Sequence, residues 1–238
     1  MLSEHYLEAQ NFPEALEWSR KGYTQYPDNY FLAYQFAKNL LVSGKYKESL
    51  DILVKTTILP NEGARYGRVT YRQACIMDAL NRFKRNDYKS FMDRIEQSRT
   101  WPENLGVGKP FDTDERIEDY LESLYMHKNG LVETAKILQE RILNYSLRSS
   151  NNSSGRYLEA IVLRNTGKEE EARQLLENWE KKAPENLVAA WCLSKFTGKK
   201  DESGQILKEI IKASGGTLFD PAGRDPDFPL ILAISEME

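Results

Sequence analysis

Apolar residues recur along most of the chain at the i, i+3, i+4 spacing of amphipathic helices, as in Phe36, Leu40, Leu50 and Leu53 or Tyr157, Ala160 and Leu163. Between such runs one short sentence returns. It reads Gly44-Lys-Tyr-Lys-Glu-Ser49-Leu, then Gly130-Leu-Val-Glu-Thr-Ala135-Lys, then Gly167-Lys-Glu-Glu-Glu-Ala172-Arg. In each copy a glycine ends one helix, and a small residue follows on the next where the two helices cross closely. Asn11-Phe-Pro-Glu-Ala15-Leu reads as a variant with Asn11 for the glycine, and Asn86-Asp-Tyr88-Lys-Ser-Phe91 as a weakened one with Phe91 for the small residue. The distance from Ala15 to Ser49 is one period of about 34 residues, the spacing of a helix-turn-helix solenoid.

The pattern predicts an all-α chain of five to six antiparallel helix pairs in a right-handed α-solenoid with a C-terminal capping helix. Residues 1–100 hold three pairs, the first truncated to a helix from about Ser3 to Ala9. Pro13 falls in a first helical turn, and Pro27 and Pro60 close the first two pairs. Val54 is assigned to the apolar face of the second pair, and a longer connector follows over 61–67. The third pair runs from Arg68 to Thr100.

Residues 101–113, with Pro102, Gly106, Gly108 and Pro110, cannot continue a helix; Trp101, Leu105, Val107 and Phe111 make them a packed irregular loop, where the superhelix kinks. Residues 114–213 carry the remaining pairs, with a polar connector over 149–155 and a shortened last pair. Residues 214–238 form the cap over the last repeat's exposed face, and the whole reads as one continuous solenoid.

Composition narrows the picture. A net charge of −3 supplies no basic field, which argues against nucleic acid as a partner. No run reaches membrane-helix length. The first residues do not form a signal peptide, which reads as cytoplasmic by default and as periplasmic if the chain is a fragment; the truncated first repeat implies a fragment, with Met1 an added start. Cys75 and Cys192, each in an apolar helical context, read as core thiols.

The glycine-to-small-residue spacing, the closing prolines and the small crossings resemble the tetratricopeptide repeat family. Trp101-Pro-Glu-Asn-Leu-Gly-Val-Gly-Lys-Pro followed by Asp114-Glu-Arg-Ile-Glu-Asp-Tyr-Leu is more particular. It resembles the repeat-bearing C-terminal region of large uncharacterised bacterial proteins, which also carry β-sandwich domains similar to those of carbohydrate-active enzymes. The resemblance implies a repeat module of a larger bacterial protein.

Motifs for catalysis, phosphate binding or metal binding are mostly absent from the sequence. The two histidines, His5 and His127, sit in no metal-binding or nucleophile motif. Gly106-Val-Gly108-Lys109 superficially resembles a phosphate loop, but Glu103 stands at the first glycine's place and Pro110 follows the lysine. Asp220, Asp225 and Asp227 lack a calcium-loop pattern and read as turn formers. Asn144, Asn151 and Asn152 match the glycosylation acceptor rule, which a bacterial parent discounts. Arg65, Arg68 and Arg72 fall on one helical face near Arg82, Lys84 and Arg85, with Tyr66 and Tyr71 between; paired with acidic helices they form a solvated or salt-bridged face. No catalytic, cofactor or metal residue is assigned.

Binding is expected in a trough lined by the first helix of each pair. Helical geometry projects Phe31, Tyr34, Lys38, Leu41, Ile76, Leu80, Tyr120, Leu124, His127, Lys128, Tyr157, Ile161 and Arg164 into it. Tyr34, Tyr120 and Tyr157 take equivalent places; Tyr34, Ile76 and Tyr157 stand where carboxylate-clamping arrays place Lys, Arg or Asn. An aromatic stripe with scattered cations suits a peptide, a sugar face or a neighbouring domain, and half-buried packing tyrosines are the alternative. The expectation is a non-catalytic protein-interaction scaffold; the alternative is an accessory module that positions a carbohydrate for an absent catalytic domain.

Overall fold

The computed structural model describes residues 2–60, 65–148 and 152–237. Most of the connector after Pro60, the start of the one after Arg148, the acceptor Asn151 and the start Met1 lie outside the described residues. The described residues are all-helical: thirteen α-helices and one short 3-10 turn, without strands. No helix among them is long and apolar enough to cross a membrane.

The chain divides into two compact units. The first joins Met1–Thr113 to Ser214–Pro226, and the second joins Asp114–Ala213 to Asp227–Glu238. Residues 214–226 thus fall in the first unit and 227–238 in the second.

The first unit holds three hairpins: α1 (Leu2–Glu8) with α2 (Phe12–Gln25), α3 (Tyr30–Val42) with α4 (Tyr46–Leu53), and α5 (Tyr66–Lys84) with α6 (Tyr88–Ser98). The second holds α7 (Arg116–Lys128) with α8 (Val132–Arg148), α9 (Gly155–Asn165) with α10 (Glu169–Lys182), and α11 (Leu187–Phe196) with α12 (Lys200–Ala213), followed by α13 (Phe228–Ser235). Within each unit every helix from α1 to α6, and from α7 to α12, touches its chain neighbour, and α3 meets α5, α7 meets α9 and α9 meets α11. α12 is as long as α2, so the last pair is not shortened.

One local device ends the first helix of all six hairpins. Gln10, Gly44, Asn86, Gly130, Gly167 and Gly198 all adopt the left-handed conformation, with φ between 56° and 82°. The next residue's N–H reaches back to close the helix, as in Asn11 N to Tyr6 O (2.8 Å), Lys45 N to Leu40 O (2.8 Å) and Lys199 N to Ser194 O (3.0 Å). This is the Schellman closure, which satisfies carbonyls the helix leaves open. The equivalent of the glycine in the first hairpin is thus Gln10, not Asn11. Asn11 is the N-cap of α2, its Oδ1 accepting from Glu14 N. A sixth copy, at Gly198, has Ser203 as its small residue.

The crossing residues are buried in every hairpin: Ala15, Ser49, Phe91, Ala135, Ala172 and Ser203. Ser49 satisfies its hydroxyl by donating to Ala37 O at 2.8 Å. Phe91 fits as an aromatic, edge-on to Phe83 with ring centroids 5.1 Å apart.

Two local expectations fail. α4 stops at Leu53, and Val54 and Leu59 are exposed while Ile58 turns inward. The reason is a competing partner. Ile58 N donates to Asn104 O (2.7 Å), and Asn104 Nδ2 donates to Leu53 O and Thr56 O (2.9 and 2.7 Å), so the 3-10 turn Glu103–Leu105 takes over the carbonyls that another helical turn would use. Leu105 joins the core of this unit, but Phe111 in the same loop is wholly exposed. Cys75 and Cys192 take part in no disulfide among the described residues, and both are fully buried.

Candidate interaction surface

The first helices of the three hairpins in the first unit are α1, α3 and α5. Repeat equivalence fixes their stations: Leu7 and Glu8 stand on α1 where Leu41 and Val42 stand on α3, and Gln73 stands on α5 where Phe31 stands on α3. Of the projected trough residues here, Tyr34, Leu41, Ile76 and Leu80 are buried; Phe31 is 43% exposed and Lys38 half-buried. Tyr34 sits edge-on to Tyr66 at 4.6 Å, and its hydroxyl lies 3.5 Å from Thr70 Oγ1. Burial pushes its phenol far above the ordinary range; the Thr70 contact opposes this, and Tyr66 and Asp220 add to it.

Residues 214–226 run over these stations. Gly216 lies so close to the end of α1 that a β-carbon there would sit 2.3 Å from Leu7 O. Phe219 packs on the core cluster that contains Tyr34, Leu41, Tyr71 and Leu105. Gln73 Nε2 donates to Pro226 O at 2.6 Å. The segment also folds on itself: Phe219 N donates to Thr217 Oγ1 (3.1 Å), Gly223 N to Asp220 O (3.1 Å) and Ala222 N to Asp220 Oδ1 (3.1 Å). Asp220 is thereby a turn former, and among the described residues no group of three His, Cys, Asp or Glu side chains could hold a metal ion.

The arginines read as one face are dispersed. Arg68 is buried, donates to Ser98 O at 2.6 Å and lies over the Trp101 ring at 4.5 Å. Arg82 joins Arg94, from α6, on Asp78 at 3.0 and 2.7 Å. Arg65 is exposed and Arg72 half-buried.

In the second unit Tyr120, Tyr157 and Ile161 are buried, while Leu124 is half-buried and His127 and Lys128 are exposed on the last turn of α7. Arg164 lies over the Phe196 ring at 5.1 Å. α13 rests on α9, and Phe228 stands edge-on to Trp191, which in turn contacts Tyr157. Lys195 Nζ bonds Glu236 Oε1 at 2.8 Å. A cavity of about 410 Å³ beside this pair is lined by Lys200, Ser203, Leu207 and Leu232 among others.

A buried charge cluster ties α7 to α8 and to the chain leading into α9. Arg116, 2% exposed, pairs with both carboxylate oxygens of Asp114 (2.9 and 2.6 Å), reaches Ser146 and Ser153, and lies over the Tyr145 ring. Gly155 leaves the room: a β-carbon there would meet the guanidinium at 2.5 Å. Burial raises the Glu159 carboxyl, opposed by Ser146, Arg156 and Arg116. These contacts join α7, α8 and the start of α9.

Sequence reasoning placed the projected trough residues on first helices but missed Gln73 and residues 214–226, which lie on α1, α3 and α5. No family pattern marks them; the pair Gly215-Gly216 ahead of Leu218-Phe219 is the one available signal of an extended segment. No known protein family, curated protein or solved structure matches this chain.

Proposed function

We propose that this chain is a non-catalytic protein-interaction module of the tetratricopeptide type. Its hairpins stack as a right-handed solenoid, and it serves a larger bacterial protein by holding an extended peptide or a neighbouring domain against the inner faces of its first helices. The observation that carries this reading is residues 216–226 on α1, α3 and α5: these helices already carry an irregular, turn-rich stretch of chain, through a backbone contact at Gly216, an aromatic side chain at Phe219 and a hydrogen bond to the backbone from Gln73. These are the three kinds of contact by which grooves read peptides. The six equivalent turn closures support the repeat assignment.

Selection of a displayed peptide library on the intact chain tests the reading. Peptides should enrich, and their affinity should fall at least about tenfold in a Phe31→Ala, Lys38→Glu variant, since these two inner-face residues are accessible. A glycan array should stay blank. Enrichment indifferent to the two substitutions, or glycan hits without peptide hits, would refute it; the latter would favour the carbohydrate-positioning alternative.

A further inference from the structure

Gln73 is 1% exposed and offers two polar atoms to whatever lies on α5. Its Nε2 is used by Pro226 O, but its Oε1 is buried and has no hydrogen-bond partner among the described residues. A primary amide can pair with the N–H and C=O of one extended residue at once. The residue seated against it is a proline, which has no N–H to give. The segment that covers the inner face is therefore an incomplete ligand for it. It is also only partly buried: Gly216 and Thr217 are buried, whereas Ala222 and Arg224 are exposed and Phe219 is half-buried.

From these observations we infer that residues 214–226 are a resident competitor, which holds the inner face of the first unit until an extended partner segment displaces it. The inference rests on the interaction reading above. The partner it fits is a peptide with an aromatic side chain for the site of Phe219 and a residue with a free N–H where the resident has Pro226. Such a segment makes the resident's contacts and also satisfies Gln73 Oε1. Tethering explains why an imperfect ligand can hold the face, because a linked segment acts at an effective concentration in the millimolar range.

The test uses the full chain, as wild type and as Phe219→Ala, with two fluorescent peptides: residues 214–227 as they stand, and the same peptide with Pro226→Ala. Both peptides should bind the Phe219→Ala chain about tenfold more tightly than the wild type, because the competitor has lost its aromatic anchor. The Pro226→Ala peptide should exceed the natural one by about tenfold on either chain, the worth of satisfying one buried acceptor. A Gly216→Ala chain, whose added methyl meets Leu7 O, should behave like Phe219→Ala, and thermal melts establish that both variants fold. Equal affinity for wild-type and variant chains would overturn the competitor while leaving a peptide-binding face intact. Equal affinity of the two peptides would overturn the role given to Gln73. Failure of both peptides on every chain would overturn the inference and the interaction reading of this face together.

Discussion

The six left-handed turn residues allow a test in which one backbone conformation produces effects of opposite sign. At Gly167 (φ 82°) and Gly130 (φ 75°) a β-carbon would meet nothing within 4 Å, so replacement by alanine changes backbone preference and little else. A left-handed non-glycine residue costs about 1–2 kcal/mol, and removing a glycine from the unfolded chain returns about 0.4–1 kcal/mol. Gly167→Ala should therefore lose about 0.5–1.5 kcal/mol. Gln10 (φ 56°) carries the same cost in the native chain, so Gln10→Gly should gain a similar amount. Asn86 (φ 60°) is the internal control. Its Oδ1 accepts from Tyr88 Oη, so Asn86→Gly relieves the backbone but forfeits that bond, and the net change should be near zero. Urea unfolding at constant slope measures each change, followed by hydrogen exchange in the unit concerned because two units need not unfold in one transition. A destabilising Gln10→Gly, or a neutral Gly167→Ala, would refute the assignment of one turn conformation to all six hairpins.

Two further predictions concern the second unit. Arg116→Ala should cost about 3–5 kcal/mol in urea unfolding, since it strands Asp114 without its buried cation; a cycle with Asp114→Ala should show strong coupling, and additive losses would refute the pairing. Because burial raises the Glu159 carboxyl above its unfolded value, its contribution is full below the unfolded pKa and is lost as pH rises through the folded one. Glu159→Gln should remove that loss from a stability-versus-pH curve as pH rises above the ordinary carboxyl range; an unchanged curve would refute it.

The helices were legible because their signals are local. A left-handed glycine, an Asn or Asp N-cap and an apolar i, i+3, i+4 run act within a turn or two of themselves, and such signals stand at Gly44, Gly130 and Gly167 whatever the rest of the chain does. The first hairpin was misaligned by a residue because Gln10 adopts a conformation that its side chain does not favour, and Asn11 beside it carries the stronger turn signal. Val54 was misplaced for another reason: periodicity continues through it, but Asn104 takes the carbonyls of Leu53 and Thr56 from half the unit away in sequence.

The projected trough marks the boundary between the two kinds of information. Helical geometry put Tyr34, Ile76, Tyr120, Tyr157 and Ile161 on first helices, and the burial of all five followed from what packs around them, which no spacing within a helix records. By itself the sequence determined the elements and the turns between them, because hydrogen bonds inside a helix and its closure span only a few residues. Tertiary structure alone decided which faces stay open. The bond from Gln73 to Pro226 joins residues 153 apart, and chain that far away is held there by Phe219 packing on the core cluster and Gly216 fitting closely on α1, not by any preference encoded near Gln73.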